Sequence, residues 1–145
     1  MIYVIYDTNV IVSSFLKINS IPAKVIDYSF TKNHLVIPIY NNDFFKEYGE
    51  VLRREKFNIK EFRIENFLNK LISVGEEINA DDIEAELIDK DDIPFYKAFL
   101  KKKKTENLVF LVTGNKKHFP INQFILSPRE FYELIENIRY LNNLC

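Results

Sequence analysis

Cysteine is nearly absent from this sequence, which has one such residue, Cys145, among 145. A single thiol cannot form a disulfide within the chain, and nothing in the cysteine usage indicates an oxidising compartment, so we expect a cytoplasmic protein. Histidine is almost as scarce. The sequence has only His34 and His118, and two imidazoles do not predict a histidine-based zinc site.

Long hydrophobic runs and an excess of positive charge are also missing. Asp7 ends the apolar opening Ile2–Tyr6, and polar residues such as Ser13 interrupt the next apolar stretch. Neither a signal peptide nor a membrane-spanning helix is therefore predicted. The net charge of −1 argues against a domain that coats nucleic acid through bulk positive charge, and leaves room for local basic patches.

Apolar material is plentiful, since hydrophobic residues make up 47% and aromatic residues 14% of the chain. A chain of this length is typical of one domain, which buries roughly 68–70% of its unfolded surface. We therefore predict a single domain, residues 1–145, with one ordinary hydrophobic core.

Apolar, β-rich segments alternate with helical patterns along the chain. The predicted strands are Ile2–Tyr6, Leu35–Ile39, Leu108–Val112 and Phe124–Leu126. The predicted helical segments are Val10–Leu16, Pro22–Phe30, Asn41–Arg54, Lys60–Ser73 (buried stripe Phe62, Phe67, Leu68 and Leu71), Pro94–Lys102 and a last helix from Pro128, capped by Ser127 with Glu130. The acidic stretch from Glu76 to Asp92 is predicted to be irregular, with a short strand or loop. This alternation predicts an α/β fold: a three-layer α/β/α domain on a mostly parallel central sheet.

Three acidic residues are candidates for chemistry. Asp7 follows the first strand, at the edge where parallel sheets bind ligands, although Asp-Thr-Asn is equally good turn or cap chemistry. Glu47 lies roughly 40° beyond Val51, at the border of the apolar face of its helix, where a surface carboxylate paired with Arg54 or Lys46 is the simpler interpretation. Asp92 precedes the inward-facing aromatic residues of the next helix, where an N-terminal capping role is the alternative.

A fourth segment, Leu108–Asn115, is a buried strand that delivers Thr113 and Asn115 to the same edge. Together the four segments resemble the PIN-domain family, and more narrowly its toxin-like branch. The matching pieces, in order, are Val4–Val12, Glu47–Arg53, Asp89–Tyr96, Leu111–Pro120 (Leu-Val-Thr-Gly-Asn-Lys-Lys-His-Phe-Pro) and Ser127–Phe131. No piece is specific alone, but the five in register span nearly the whole chain.

The resemblance implies a PIN-like fold and a divalent-metal-dependent endoribonuclease that uses Mg²⁺ or Mn²⁺. Its catalytic and metal-binding acids fall on Asp7, Glu47 and Asp92, with Asp89 or Asp91 as fallbacks. The fourth acid of the wider family falls on Asn115, a departure that removes one charge while keeping a carbonyl oxygen that can orient water.

Elementary electrostatics agrees with such a site, because three neighbouring carboxylates repel one another unless one is protonated or a cation neutralises them. A hard cation with oxygen ligands can then activate water against a phosphodiester. Thr8, Asn9 and Thr113 are predicted to orient these carboxylates or the phosphate, with turn hydrogen bonding as the alternative. The cations predicted to hold the RNA backbone are Arg53, Arg54, Lys116, Lys117 and His118.

Two other functions remain open on the sequence. A non-catalytic PIN-fold module that binds RNA or a protein is one, motivated by Asn115. A phosphoryl-accepting Asp7 is the other, and it is disfavoured because Asn9 stands where the phosphatase pattern has a second Asp. The toxin-like resemblance also implies an antitoxin partner and a homodimer.

Overall fold

The computed structural model describes residues 1–31 and 35–144, so the predictions that concern His34 and Cys145 lie outside the described residues. Within these residues, five β-strands form one parallel sheet and six α-helices flank it. The predicted α/β class is therefore confirmed. No helix in the described residues combines the length and the apolar character needed to cross a membrane.

The elements differ from the predicted ones mainly at their ends. The strands are β1 (Ile2–Tyr6), β2 (Val36–Tyr40), β3 (Glu76–Glu77), β4 (Val109–Val112) and β5 (Ile125–Leu126). The helices are α1 (Thr8–Leu16), α2 (Ile21–Tyr28), α3 (Asn42–Leu52), α4 (Glu61–Val74), α5 (Ile93–Lys103) and α6 (Pro128–Leu144). Helix α1 begins at Thr8 rather than Val10 because Asp7, at the end of β1, is itself its N-cap.

The sheet has the order β3-β2-β1-β4-β5 and is covered on both faces at its centre. Every residue of β4 is buried, and every residue of β1 except Tyr3 is buried. This pattern is typical of strands that helices cover on both faces of the sheet. Helix α5 packs on β1 and β4, α4 packs on β2, and α2 packs between α1 and α6. The result is the three-layer α/β/α arrangement.

The strand order reverses between β1 and β4. From β1 the chain moves outward to β2 and β3, and it then returns to place β4 on the other side of β1. Tyr6 of β1 is in register with Val112 of β4, so the next residues, Asp7 and Thr113, leave the sheet side by side. Such a reversal opens a crevice at the carboxyl ends of the strands, which is where open α/β sheets bind ligands.

Aromatic packing fixes α3 and α5 against each other behind this edge. Phe44 of α3 stacks on Phe95 of α5 with ring centroids 4.5 Å apart, and Tyr48 of α3 lies 5.9 Å from the same ring. These contacts bring the helix that carries Glu47 close to the helix that follows Asp92.

One predicted core residue is wrong. Phe62 is 63% exposed, whereas Ile64, Phe67 and Leu71 form the buried stripe of α4. Residues two positions apart in an α-helix differ by about 200° around its axis. Phe62 therefore faces away from the buried stripe that contains Ile64.

Candidate functional site

Asp7 is the most enclosed acidic residue at the carboxyl edge of the sheet, with only 4% of its surface exposed. Its Oδ1 accepts a hydrogen bond from the backbone N–H of Thr8 (2.7 Å). Its Oδ2 accepts one from Thr113 Oγ1 (2.8 Å) and a longer one from Asn9 Nδ2 (3.3 Å). Both oxygens of this carboxylate are thus held by groups from the first turn of α1 and from Thr113, the residue that follows β4.

Burial raises the pKa of Asp7 from 3.8 to about 6, and the negative charge of Asp92 adds to this effect. The hydrogen bonds from Thr113 and Thr8 and the nearby His118 lower the pKa, and so offset part of the desolvation. The site therefore holds a carboxylate whose charged form is poorly solvated and would gain from a nearby cation.

Asn9 ties the two strand ends together. Its amide nitrogen donates to Asp7, while its Oδ1 accepts the backbone N–H of Gly114 at 2.9 Å. A Cβ at position 114 would lie 3.3 Å from Asn9 Oδ1, which explains why glycine fits this close approach. The Thr8 hydroxyl is different, because Oγ1 is buried and has no hydrogen-bond partner in the described part of the chain.

Glu47 occupies the border of the buried face of α3 and is half-buried. Desolvation raises its pKa, followed by the negative charges of Asp91, Glu50 and Asp7, while Arg54 lowers it. The neighbouring Tyr48 donates a short hydrogen bond from its hydroxyl to the carbonyl of Tyr6, the last residue of β1. This bond anchors the helix beside the strand end that carries Asp7.

Asp92 stands at the N-cap position of α5 and is 7% exposed. Its side chain makes no capping hydrogen bond to that helix. Its Oδ2 is instead hydrogen-bonded to His118 Nδ1 at 3.0 Å. Burial raises its pKa, the bond to His118 lowers it, and the charge of Asp89 raises it further. The capping role is therefore not what positions this carboxylate.

Asp89 belongs to the same group. One ligand atom each from Asp89, Asp92 and His118 lie within 4.8 Å of one another. Asp7 and Glu47 are outside this group among residues 1–31 and 35–144. Asp92 and His118 of the group act electrostatically on Asp7, and Asp7 in turn acts on Glu47. Charge thus links Asp92 to Asp7 and Asp7 to Glu47, but the three predicted acids do not form one tight cluster.

Asn115 is exposed and begins the 3₁₀ turn Lys116–His118 that follows β4. Its backbone N–H donates to Thr113 Oγ1 at 3.0 Å, and its side chain does not cap the turn. The amide is therefore available to water or to a ligand.

The predicted RNA-binding cations fall into two groups. Arg53 and Arg54 are exposed at the end of α3, where Arg53 is paired with Glu61 of α4 (2.8 Å). Lys116, Lys117 and His118 lie beyond β4, and Lys116 is paired with Glu130 (2.9 Å). These last three residues line a cavity of about 430 Å³ together with Thr113, Gly114, Asn115 and Ser127.

The donor set of this edge fits a divalent cation, because it offers carboxylates, an amide and one imidazole with a surplus of negative charge. Sequence reasoning missed the pairing of Asp92 with His118, which are 26 residues apart. One signal could have found it. Asp92 precedes the helix that leads into β4 and His118 follows β4, and in a parallel sheet both positions lie at the carboxyl edge of the strands.

The chain matches no protein-family model, no curated protein and no solved structure.

Proposed function

We propose that this protein is a divalent-metal-dependent ribonuclease of the PIN-domain kind, which hydrolyses phosphodiester bonds of RNA with Mg²⁺ or Mn²⁺. The observation that carries the proposal is the state of Asp7. Asp7 is a buried carboxylate where the strand order of the parallel sheet reverses, and it is hydrogen-bonded to Thr113 and Asn9. The negative charge of a second buried carboxylate, Asp92, helps to raise its pKa.

Asp7, Glu47 and Asp92 are the proposed ligands, and Asn115 would add a neutral oxygen. A bound divalent ion would polarise a phosphate oxygen and make water a stronger nucleophile. Thr113 and Asn9 fix the orientation of the Asp7 carboxylate, which preserves affinity because loosely held ligands lose it. Lys117, exposed beside this edge, would hold the phosphate backbone without reading the sequence.

The test is cleavage of a labelled single-stranded or structured RNA with Mn²⁺, with Mg²⁺ and with EDTA. Wild type should cleave only with metal, and Asp7→Asn should reduce the rate by at least about a hundredfold, the size of loss expected when a group acting directly on the reaction is removed. Asp81→Asn makes the same chemical change at an exposed position and should cleave normally. Equal cleavage by wild type and Asp7→Asn, or cleavage in EDTA, contradicts the proposal.

A non-catalytic module that binds RNA or a protein is the alternative, and Asn115 is the observation that favours it. The amide replaces a charge in the proposed ligand set and its side chain is exposed. Such a module would bind RNA through Lys116 and Lys117 and give no cleavage with either metal. Retained RNA binding without cleavage would therefore support this alternative over the enzyme.

The toxin role, the antitoxin partner and the homodimer extend the proposal on the same resemblance. Expression of wild type should arrest growth of the host cell, whereas Asp7→Asn should not. Size-exclusion chromatography with light scattering measures the oligomeric state directly.

A further inference from the structure

Asp92 and His118 form the tightest pair of ligand-type side chains at the carboxyl edge of the sheet. His118 Nδ1 lies 3.0 Å from Asp92 Oδ2, and a ligand atom of Asp89 completes a group whose members are all within 4.8 Å. Metal–ligand bonds of about 2.0–2.2 Å place two ligands of one ion about 3 to 4.4 Å apart, depending on the angle between them. The three side chains are therefore within a small side-chain adjustment of a single-ion geometry.

This group contains two carboxylates and one imidazole, so its members carry more negative than positive charge. Within the described residues, Asp92 forms an ion pair only with His118, which is charged only when protonated. Lys116 is paired with Glu130. Asp89 uses Oδ1 to accept the backbone N–H of Asp91. The Asp92 side chain is buried, with 10% of its surface exposed, and it makes no hydrogen bond that caps α5. A buried carboxylate in this position is stabilised when a cation joins it.

We propose that His118 is a nitrogen ligand of the metal, and that with Asp89 and Asp92 it forms a mixed nitrogen–oxygen site selective for Mn²⁺ and its transition-metal neighbours over Mg²⁺. The neutral imidazole would add a ligand to this set without adding a charge. The ion replaces the hydrogen bond between Nδ1 of His118 and Oδ2 of Asp92. Nitrogen ligands favour transition metals, whereas Mg²⁺ is bound by oxygen and water. The role of this ion in catalysis rests on the proposed function, but its binding does not.

Pulsed electron paramagnetic resonance of untagged protein loaded with Mn²⁺ tests the proposal, because a coordinated imidazole imposes a ¹⁴N modulation on the manganese signal. Wild type should show this modulation. His34→Gln, which leaves His118 as the sole imidazole in the chain, should retain it. His118→Gln should lose the modulation and bind Mn²⁺ roughly tenfold or more weakly, since removal of even an indirect partner of a metal ligand has an effect of that size.

Two further variants separate ligation from mere positioning of Asp92. His118→Asp should recover Mn²⁺ binding without the nitrogen signal and should narrow the preference for Mn²⁺ over Mg²⁺. Asp89→Asn keeps an acceptor for the Asp91 N–H but should weaken Mn²⁺ binding, whereas Glu84→Gln, at an exposed position, should not. A wild-type Mn²⁺ complex without ¹⁴N modulation, or no Mn²⁺ binding at all, overturns the proposal.

The outcomes for this site and for the ribonuclease are distinguishable. Nitrogen-coupled Mn²⁺ without RNA cleavage supports the metal site and contradicts the proposed function. Metal-dependent RNA cleavage without nitrogen coupling supports the proposed function and contradicts the site with His118.

Discussion

The proposed site has two halves that are built in different ways. The sheet-edge half consists of Asp7, Asn9, Thr113 and Gly114, which hydrogen bonds join across the ends of β1 and β4. The helix-borne half consists of Glu47, Asp89, Asp92 and His118, which depend on the packing of α3, α5 and the 3₁₀ turn after β4.

The two halves of the proposed metal site are therefore held in place by different interactions. The strand register fixes the sheet-edge half. Tyr6 and Val112 are paired immediately before Asp7 and Thr113, which brings these two side chains within hydrogen-bonding distance of each other. The helix-borne carboxylates have fewer hydrogen bonds, and Asp7 lies outside the group that Asp89, Asp92 and His118 form. We therefore expect the sheet-edge half to keep its arrangement when an ion binds and the helix-borne side chains to adjust to the ion.

The largest expected effect concerns the charge of Asp7 in the metal-free protein. Its pKa is about 6 in the folded state and about 3.9 in an unfolded chain, so the folded state binds more protons between these values. Stability therefore falls as the pH rises from about 4 to about 6, by up to about 3 kcal/mol for a shift of this size. Asp7→Asn should be more stable than wild type at pH 7.5 and should lose that advantage toward pH 4, as measured by urea unfolding in EDTA.

Glu47→Gln is the corresponding substitution in the helix-borne half of the site. The pKa of Glu47 is also raised, mainly by desolvation, but the residue is half-buried. The substitution should stabilise the metal-free protein in the same direction and by less. A gain in stability equal to that of Asp7→Asn would show that burial of the two charged carboxylates costs the same free energy.

The next effect concerns the Thr113 hydroxyl, which is hydrogen-bonded to both Asp7 and the backbone of Asn115. Thr113→Val keeps the shape of this fully buried side chain but removes the donor to Asp7 and the acceptor for the Asn115 N–H. Loss of buried hydrogen-bond partners should reduce the free energy of unfolding by about 1–3 kcal/mol. Thr113→Ser keeps the hydroxyl and should restore most of the Asp7 environment, although it loses a methyl group. Chemical denaturation at pH 7.5 distinguishes the two, and equal losses would contradict a role for the hydroxyl.

The smallest effect concerns the link between the halves. Tyr48→Phe removes the hydrogen bond to the carbonyl of Tyr6 and leaves the aromatic packing with Phe44 and Phe95 in place. We expect a loss of about 0.5–1.5 kcal/mol, typical of one hydrogen bond, together with weaker Mn²⁺ binding because Glu47 is less well placed. Unchanged Mn²⁺ affinity would show that the hydrogen bond of Tyr48 does not contribute to metal binding.

The fold could be predicted from the sequence because its signals are local. Ile2–Tyr6 is a continuous apolar run and forms β1 with the predicted bounds, and Ser127 and Glu130 form the predicted capping box, with hydrogen bonds of 2.9 and 3.1 Å. The ends of elements were less accurate where one residue has two roles, as Asp7 does in ending β1 and capping α1.

The site could be predicted only in part. The position of Asp7 follows from a strand end, and the burial of Asp92 follows from the aromatic residues that come after it. The pairs Asp92–His118 and Asn9–Gly114 join residues far apart in the sequence, and no spacing encodes them. They depend on the sheet order, which brings the ends of β1 and β4 together.

Calorimetric titration of Mn²⁺ into metal-free protein tests the central claim most directly. We predict saturable binding to wild type and to Asp81→Asn, and affinities at least about tenfold lower for Asp7→Asn, Glu47→Gln and Asp92→Asn, because each removes a ligand of the same site. Unchanged Mn²⁺ affinity in Asp7→Asn would contradict the account even if Asp92→Asn binds more weakly, because Asp92 also belongs to the group with Asp89 and His118.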